Sequence, residues 1–108
     1  MSSVKSTLHS NGARLRRHPS VVLRHVAGEH MLVPAVTREV DLDSLFLLNP
    51  TGVFVWERLD GMRCIRELAE AVAEGFGVDV ETARADVAPF LASLLERNLA
   101  ERAEADGR

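Results

Sequence analysis

The chain has 108 residues, of which 46% are hydrophobic and 27% charged, with a formal net charge of -3 and one cysteine. This length fits one domain and the apolar fraction is high enough for a hydrophobic core, which excludes a disordered tail and a multidomain enzyme. A single cysteine excludes an internal disulfide and a cysteine-rich zinc site, and with them a secreted disulfide scaffold. No apolar run resembles a signal peptide or approaches the roughly 20 residues of a membrane span, so we expect a soluble cytoplasmic protein.

Charge is unevenly distributed along the chain. Residues 1–40 contain six Lys and Arg against two Glu, a net charge of +4, and residues 41–108 contain seven Arg against fourteen Asp and Glu, a net charge of -7. Residues 1–15 are rich in Ser, Asn and Gly without apolar periodicity, which predicts a flexible basic arm. The domain itself is predicted over residues 16–99, and residues 100–108 are predicted to be a charged tail.

Three short apolar segments predict three antiparallel strands. Residues 21–26 and 31–36 flank a short turn, and a glycine at the first loop position suits a tight type II′ hairpin turn. Pro34 lacks an amide donor, so the second strand is expected to end at a sheet edge or leave the sheet there. After a polar connection, residues 44–48 are predicted to form the third strand.

The first predicted helix follows this third strand directly. Asn49 is a favourable N-cap and Pro50 a favourable first helical residue. We expect this helix to run to about Leu59 and to end at Asp60 and Gly61.

Two more helices are predicted after it. Residues 64–76 have helical apolar spacing, although Cys64 is a poor cap because sulfur is a weak acceptor. The last helix begins at the cap Asp79 and runs to about Arg97, with a kink or a break expected near Pro89. Three strands followed by three helices is the order of a winged helix-turn-helix domain, which is an α+β fold with one three-stranded antiparallel sheet.

Few residues could carry catalysis or bind a metal. His25 and His30 come close across the predicted hairpin, but no third ligand completes a metal site. Cys64 is better explained as a structural residue than as a nucleophile. Gly75 and Gly77 follow a helix and not a strand, so they lack the context of a phosphate-binding loop. We therefore expect no enzyme activity, no cofactor and no metal site.

A helix-turn-helix raises the alternative of a DNA-binding regulator. The last predicted helix carries Arg84 and Arg97 against four acidic residues, a net charge of -2. Affinity for a duplex comes largely from Lys and Arg that displace counterions from phosphates, so acidic helices oppose it. The acidic helices therefore argue against DNA binding.

The third predicted strand points to a peptide-binding module instead. A strand with one face in solvent alternates apolar and polar residues, whereas Leu45, Phe46, Leu47 and Leu48 are all apolar. Both faces must be covered, either by the domain's own helices or by a molecule that docks there. An apolar edge can pair with an added strand, which is an established mode of peptide capture. The residues alone leave these two explanations open.

Several motifs in a fixed order resemble the PqqD-like family. The central one is Leu-Asn-Pro-Thr-Gly-Val-Phe-Val-Trp at residues 48–56, and the resemblance spans about residues 18–99. Further matching segments are Leu-Asp-Gly at 59–61, Ile-Arg-Glu-Leu-Ala-Glu-Ala-Val-Ala at 65–73, Ala-Arg-Ala-Asp-Val at 83–87 and the Phe-Leu-x-x-Leu-Leu-Glu-Arg segment at 90–97. The PqqD proteins proper tend to have Ser-Ala where this chain has Thr51-Gly52, so the chain resembles the wider group, whose substrate peptides vary.

The resemblance implies a winged helix-turn-helix that reads peptides in the biosynthesis of ribosomally made, modified peptides. Members bind the leader of a precursor peptide as a strand added to the third β-strand and present it to a radical S-adenosylmethionine maturase. Carried over, the peptide-binding residues on the strand are Asp43, Ser44, Leu45, Phe46, Leu47 and Leu48. Those on the third helix are Arg84, Val87, Ala88 and Leu91. A third hypothesis is a small subunit that stabilises a maturase without touching the peptide.

Overall fold

The computed structural model describes residues 13–34 and 46–103, which form six strands and three helices. The strands are β1 (Arg14–Arg17), β2 (Val21–Val26), β3 (Glu29–Pro34), β4 (Phe46–Leu48), β5 (Asp60–Cys64) and β6 (Ala100–Arg102). The helices are α1 (Pro50–Trp56), α2 (Ile65–Phe76) and α3 (Val80–Glu96). The strands pair in two antiparallel sheets, in the orders β2-β3-β4 and β5-β1-β6. The predicted α+β class is confirmed, but the prediction of one sheet followed by three helices is wrong, because strands also lie between and after the helices.

Strands β2 and β3 form the predicted hairpin with a different turn. All six residues of β2 pair with β3, and the pairing closes at Val26 and Glu29. Only Ala27 and Gly28 lie between them, and both have a left-handed backbone, with φ of 54° and 83°. Positive φ at both positions makes this a type I′ turn, so the predicted type II′ turn is wrong. The pairing begins at Glu29, earlier than expected, which places the glycine second in the loop and not first.

The sheet β5-β1-β6 has no counterpart in the sequence prediction. Its central strand β1 contains Arg14 and Leu15, which the composition assigns to a flexible arm, and Leu15 is fully buried. Residues 100–102, assigned to the tail, form β6, and Ala100 is buried. Each strand is short and has few apolar residues, so hydrophobic periodicity does not reveal it.

Helix α1 begins where predicted and ends three residues before Leu59. The side-chain oxygen of Asn49 accepts a hydrogen bond from the Gly52 N–H at 2.7 Å, which confirms the predicted cap. At the other end, the Arg17 guanidinium donates to the carbonyl oxygen of Trp56 (3.4 Å) and to that of the next residue (3.2 Å). A side chain of β1 thus provides hydrogen bonds to carbonyl groups at the end of α1. The chain then continues into β5.

Helices α2 and α3 lie close to their predicted positions. Helix α2 ends at Gly77, whose φ of 71° is the left-handed conformation of a helix C-cap. Asp79 caps α3 by accepting the Thr82 N–H at 2.7 Å, as predicted. Of the two outcomes predicted at Pro89, a kink or a break, the break is wrong, because α3 continues through this exposed proline.

One hydrophobic core joins both sheets to the helices. Its fully buried side chains are Leu15, Leu32, Val55, Leu59, Ile65, Leu68, Val87, Leu91 and Leu94. They come from β1, from β3, from all three helices and, in the case of Leu59, from the turn between α1 and β5. The edge strand β4 and helix α3 are held against this same core. In the described part of the chain, no helix combines the length and apolar character needed to cross a membrane.

Candidate functional site

Within the described residues, strand β4 is an edge of the sheet β2-β3-β4 and pairs only with β3. Its middle residue, Leu47, is 60% exposed, whereas Phe46 is half-buried and Leu48 is buried. The core therefore covers one face of this apolar strand and leaves the Leu47 side chain in solvent. The other predicted strand residues, Asp43, Ser44 and Leu45, lie outside the described residues.

The backbone of Leu47 also faces the free edge. Val26 and Glu29 flank a two-residue turn and form a hydrogen-bonded pair, and such pairs alternate with non-hydrogen-bonded pairs along an antiparallel ladder. By this alternation Met31 bonds to β2, so its partner in β4, Leu47, is in a non-hydrogen-bonded pair with β3. The N–H and C=O of Leu47 thus point away from β3, in the direction from which another strand could bond to them.

The inner side of β4 meets helix α3. The ring centroids of Phe46 and Phe90 are 6.2 Å apart, and the Arg97 guanidinium lies over the Phe46 ring, 5.3 Å from its centroid. Arg97 is the C-cap that directly follows α3. At about 100° per residue, Asp86, Phe90 and this C-cap lie within about 40° of one another around the helix axis. We call these three residues the α3 face, and the space between them and β4 the groove.

The α3 residues implied by the family resemblance lie mostly elsewhere on the helix. Val87 and Leu91 are 1% and 0% exposed, and Arg84 and Ala88 are half-buried. Arg84, Ala88 and Leu91 are rotated by about 100° or more from the α3 face, whereas Val87 lies closer to it. Most of the implied residues thus lie on a different side of the helix from the α3 face, whose spacing of four and seven residues is visible in the sequence.

A pocket of about 210 Å³ lies between the start of α1 and helix α3. It is lined by Asn49, Thr51, Gly52, Val55, Asp86, Val87 and Phe90. The Asn49 side-chain oxygen is already bonded within α1, and Asp86 carries the one carboxylate among the lining residues. The pocket thus has apolar walls from Val55, Val87 and Phe90 with a negative charge at its side.

The two ends of the groove carry opposite charges. Asp86 and Arg97 are both exposed, and neither has an ion-pair partner in the part of the chain that the structure describes. The ion pairs found there lie in the sheet β5-β1-β6. Both charges can therefore interact with a bound molecule without breaking an existing ion pair.

Elsewhere in the described residues, the polar groups build no second site. His25 and His30 face each other across the hairpin, with parallel rings whose centroids are 4.2 Å apart. Cys64 is buried, and its N–H donates to the Glu67 carboxylate at 2.9 Å, which lowers the pKa of that carboxyl. Among the described residues, no three or more His, Cys, Asp or Glu side chains are grouped to hold a metal ion.

Three solved structures have a similar fold. TbiB1 in complex with the TbiA(beta) leader peptide is 24% identical, with a TM-score of 0.60, and the match covers 80% of this chain and 94% of that one. The PqqD truncation of Methylobacterium extorquens PqqCD, described as a functional and stand-alone RiPP recognition element, is 24% identical, with a TM-score of 0.63 and coverage of 82% and 88%. Lasso peptide synthetase B1 complexed with the leader peptide is 21% identical, with a TM-score of 0.63 and coverage of 82% and 99%.

Comparison with family models assigns the chain to a family. Curated protein sequences include no significant match. The model of the family described as coenzyme PQQ synthesis protein D (PqqD) matches residues 29–100, which is well over half of the 108 residues. The match includes β3, β4, β5, all three helices and the first residue of β6. The chain belongs to the PqqD family.

Proposed function

We propose that this protein binds the leader segment of a ribosomally made precursor peptide as a strand added to β4. Family membership supports this function, as do two structurally similar proteins that are complexed with leader peptides and a third described as a RiPP recognition element. The protein acts in the cytoplasm as a recognition domain without catalysis of its own. It presents the peptide to a radical S-adenosylmethionine maturase, and its winged helix-turn-helix arrangement serves peptide binding. The DNA-binding alternative has no support from the family model or from the similar structures.

One observation carries this proposal: Leu47 offers both its side chain and its backbone groups at the free edge of β4. An added strand would gain two main-chain hydrogen bonds there, and the apolar side chain would be covered. Phe46, on the opposite face, extends the contact into the groove.

A proline at position 47 tests the strand-addition model directly. Leu47→Pro removes the N–H that points to the free edge and leaves the hydrogen bonds between β3 and β4, and proline is tolerated on edge strands. We expect calorimetry with a precursor peptide that the wild-type protein binds to show an affinity about tenfold lower or weaker still. Leu47→Lys keeps the N–H and removes the apolar side chain, so its affinity should fall less.

Met62→Lys is the matched control for Leu47→Lys. Met62 is 70% exposed on β5, an edge of the other sheet, so the same change in chemistry occurs away from β4. Circular dichroism should show the same fold in all three variants. Unchanged peptide affinity in Leu47→Pro would reject strand addition on β4.

A subunit that only stabilises the maturase would behave differently. It would be pulled down with the maturase equally well with and without the precursor, and would give no heat on titration with the precursor alone. The proposed function instead requires binding of the isolated peptide.

A further inference from the structure

We infer that the groove selects its peptide by charge at both ends. It takes a basic side chain at Asp86, an apolar side chain against the paired rings of Phe46 and Phe90, and an acidic side chain at Arg97. This inference rests on the proposed function, because it specifies the side chains of the strand that β4 would bind.

The positions of the two charges along β4 set the order of these side chains. Arg97 lies over Phe46, the first residue of β4, whereas Asp86 shares a pocket with Asn49, the residue that follows the strand. Helix α3 therefore places its negative charge at the carboxyl end of β4 and its positive charge at the amino end.

The spacing of the α3 face matches the repeat of an extended peptide. Asp86 and Phe90 are separated by a rise of about 6 Å along the helix, close to the distance between alternate residues of a strand. Arg97 lies further along, but its side chain extends back to within 5.3 Å of the Phe46 ring centroid. Since alternate residues of a strand face the same side, the three recognised side chains are at positions i, i+2 and i+4 of the peptide.

The sheet also indicates the direction of the peptide. All pairs in the sheet β2-β3-β4 are antiparallel. A strand that continues this pattern beside β4 runs from the Asp86 end to the Arg97 end. The basic residue therefore precedes the acidic residue by four positions in the peptide sequence.

Each end of the groove has the chemistry that its side chain requires. The methylene stem of a Lys or Arg can lie along Val55, Val87 and Phe90 while its charged head reaches the Asp86 carboxylate. At the other end, the planar Arg97 guanidinium can donate two parallel hydrogen bonds to a carboxylate.

A phage-displayed library of random 12-residue peptides provides the probe. Peptides are selected on the wild-type protein, with Leu47→Pro as the background protein that cannot accept a strand. We expect the enriched peptides to contain a basic residue four positions before an acidic one, with an apolar residue midway. Selection on Asp86→Lys should replace the preferred basic residue by an acidic one, and Arg97→Glu should replace the acidic residue by a basic one.

The matched control is Glu81→Lys, which makes the same change of charge on an exposed position of α3 outside the α3 face. It should leave the enriched pattern unchanged. Calorimetry with one enriched peptide should show affinities about two- to fivefold lower for Asp86→Asn and for Arg97→Gln, the range expected for exposed ion pairs. These neutral variants keep the test valid if a charge reversal unfolds the protein, which a thermal melt would show.

The possible failures are distinguishable. Enriched peptides without the charge pattern, or with a pattern that Asp86→Lys and Arg97→Glu leave unchanged, would overturn this inference and leave the proposed function intact. No enrichment over the Leu47→Pro background would overturn the proposed function, and the inference with it.

Discussion

The ring of Phe90 in α3 lies 6.2 Å from the ring of Phe46 in β4, at an interplanar angle of 54°. Both rings are half-buried, and together they connect the edge strand to the longest described helix. Aromatic pairs at this separation contribute about 0.5–1.5 kcal/mol beyond the burial of their surface. The same contact that stabilises β4 also forms the floor of the groove.

Replacement of Phe90 is therefore expected to affect both stability and peptide binding. Phe90→Leu loses the ring pair but keeps most of the apolar volume, so we expect the free energy of unfolding in urea to fall by about 1 kcal/mol. We also expect a clear loss of affinity for the precursor peptide in calorimetry. Phe76→Leu is the control, because it removes another ring pair, with Phe54 at 5.3 Å, away from the groove. Equal peptide affinities for the two variants would contradict a role of Phe90 in the groove.

Local signals explain why part of the fold could be predicted. Asn49 and Asp79 each accept an N–H three residues later, and such caps depend only on neighbouring residues. The strand β1 has one buried apolar residue, Leu15, and its pairing joins residues far apart in the chain: the bonded residues Arg16 and Glu101 are 85 positions apart. No local pattern encodes such a pairing, so β1 and β6 appear in the sequence as an arm and a tail.

The site was only partly predictable for a similar reason. The apolar run that includes Leu47 predicts an edge strand that needs a cover, and the described part of that strand lies at a sheet edge. Which face of α3 turns towards it depends on how the helix packs on the core. Because Val87 and Leu91 are drawn into that core, the residues left facing the groove are Asp86, Phe90 and Arg97.

The hairpin turn contains a position that can be improved. Ala27 has a φ of 54°, and a left-handed backbone costs a residue with a Cβ about 1–2 kcal/mol. Asparagine is strongly preferred before glycine in type I′ turns, so Ala27→Asn should raise the free energy of unfolding by roughly 0.5–1 kcal/mol. This corresponds to a rise in the thermal midpoint of a few degrees.

The neighbouring glycine provides the opposite substitution. A Cβ at Gly28 would meet no atom within 4 Å, so Gly28→Ala changes the turn through its φ of 83° alone. It should lower the thermal midpoint. A lower midpoint for Ala27→Asn, or no change for Gly28→Ala, would contradict the type I′ assignment.

A glycine near the end of α2 leaves room for an aromatic ring. A Cβ at Gly75 would lie 3.2 Å from two ring atoms of Phe54, and this ring is held by Phe76 and by the Arg58 guanidinium, 3.5 Å from its centroid. An alanine within a helix ordinarily adds about 0.5–1 kcal/mol of stability over glycine. Because the ring must shift, we expect Gly75→Ala to gain less than this.

A double-mutant cycle separates the two effects. In a Phe54→Leu background the obstruction is removed, so Gly75→Ala should recover the full gain of about 0.5–1 kcal/mol in urea denaturation. The same gain from Gly75→Ala in both backgrounds would show that the ring does not restrict this position.

The cap of α3 makes stability depend on pH in the acid range. The Asp79 carboxylate accepts a hydrogen bond from the Thr82 N–H at 2.7 Å. This bond, together with a hydrogen bond to the Thr82 side chain, lowers the pKa of the Asp79 carboxyl. The pKa of this carboxyl is lower in the folded state than in the unfolded chain, where it is about 4 for aspartate. Its charge therefore stabilises the fold fully at pH values above that unfolded pKa. That contribution is lost as the pH falls through the lowered pKa of the folded state, because both states then carry the proton.

Asp79→Asn isolates this effect, since asparagine is as good an N-cap as aspartate but does not titrate. At pH 7 the wild type should be the more stable protein, because its charged carboxylate also interacts favourably with the helix N-terminus. The difference between the two urea midpoints should shrink steadily between about pH 5 and pH 2, as the wild type loses the contribution of its charge. A difference of the same size at pH 7 and at pH 3 would mean that the charge of Asp79 does not stabilise the cap, and that the hydrogen bond to Thr82 acts through geometry alone.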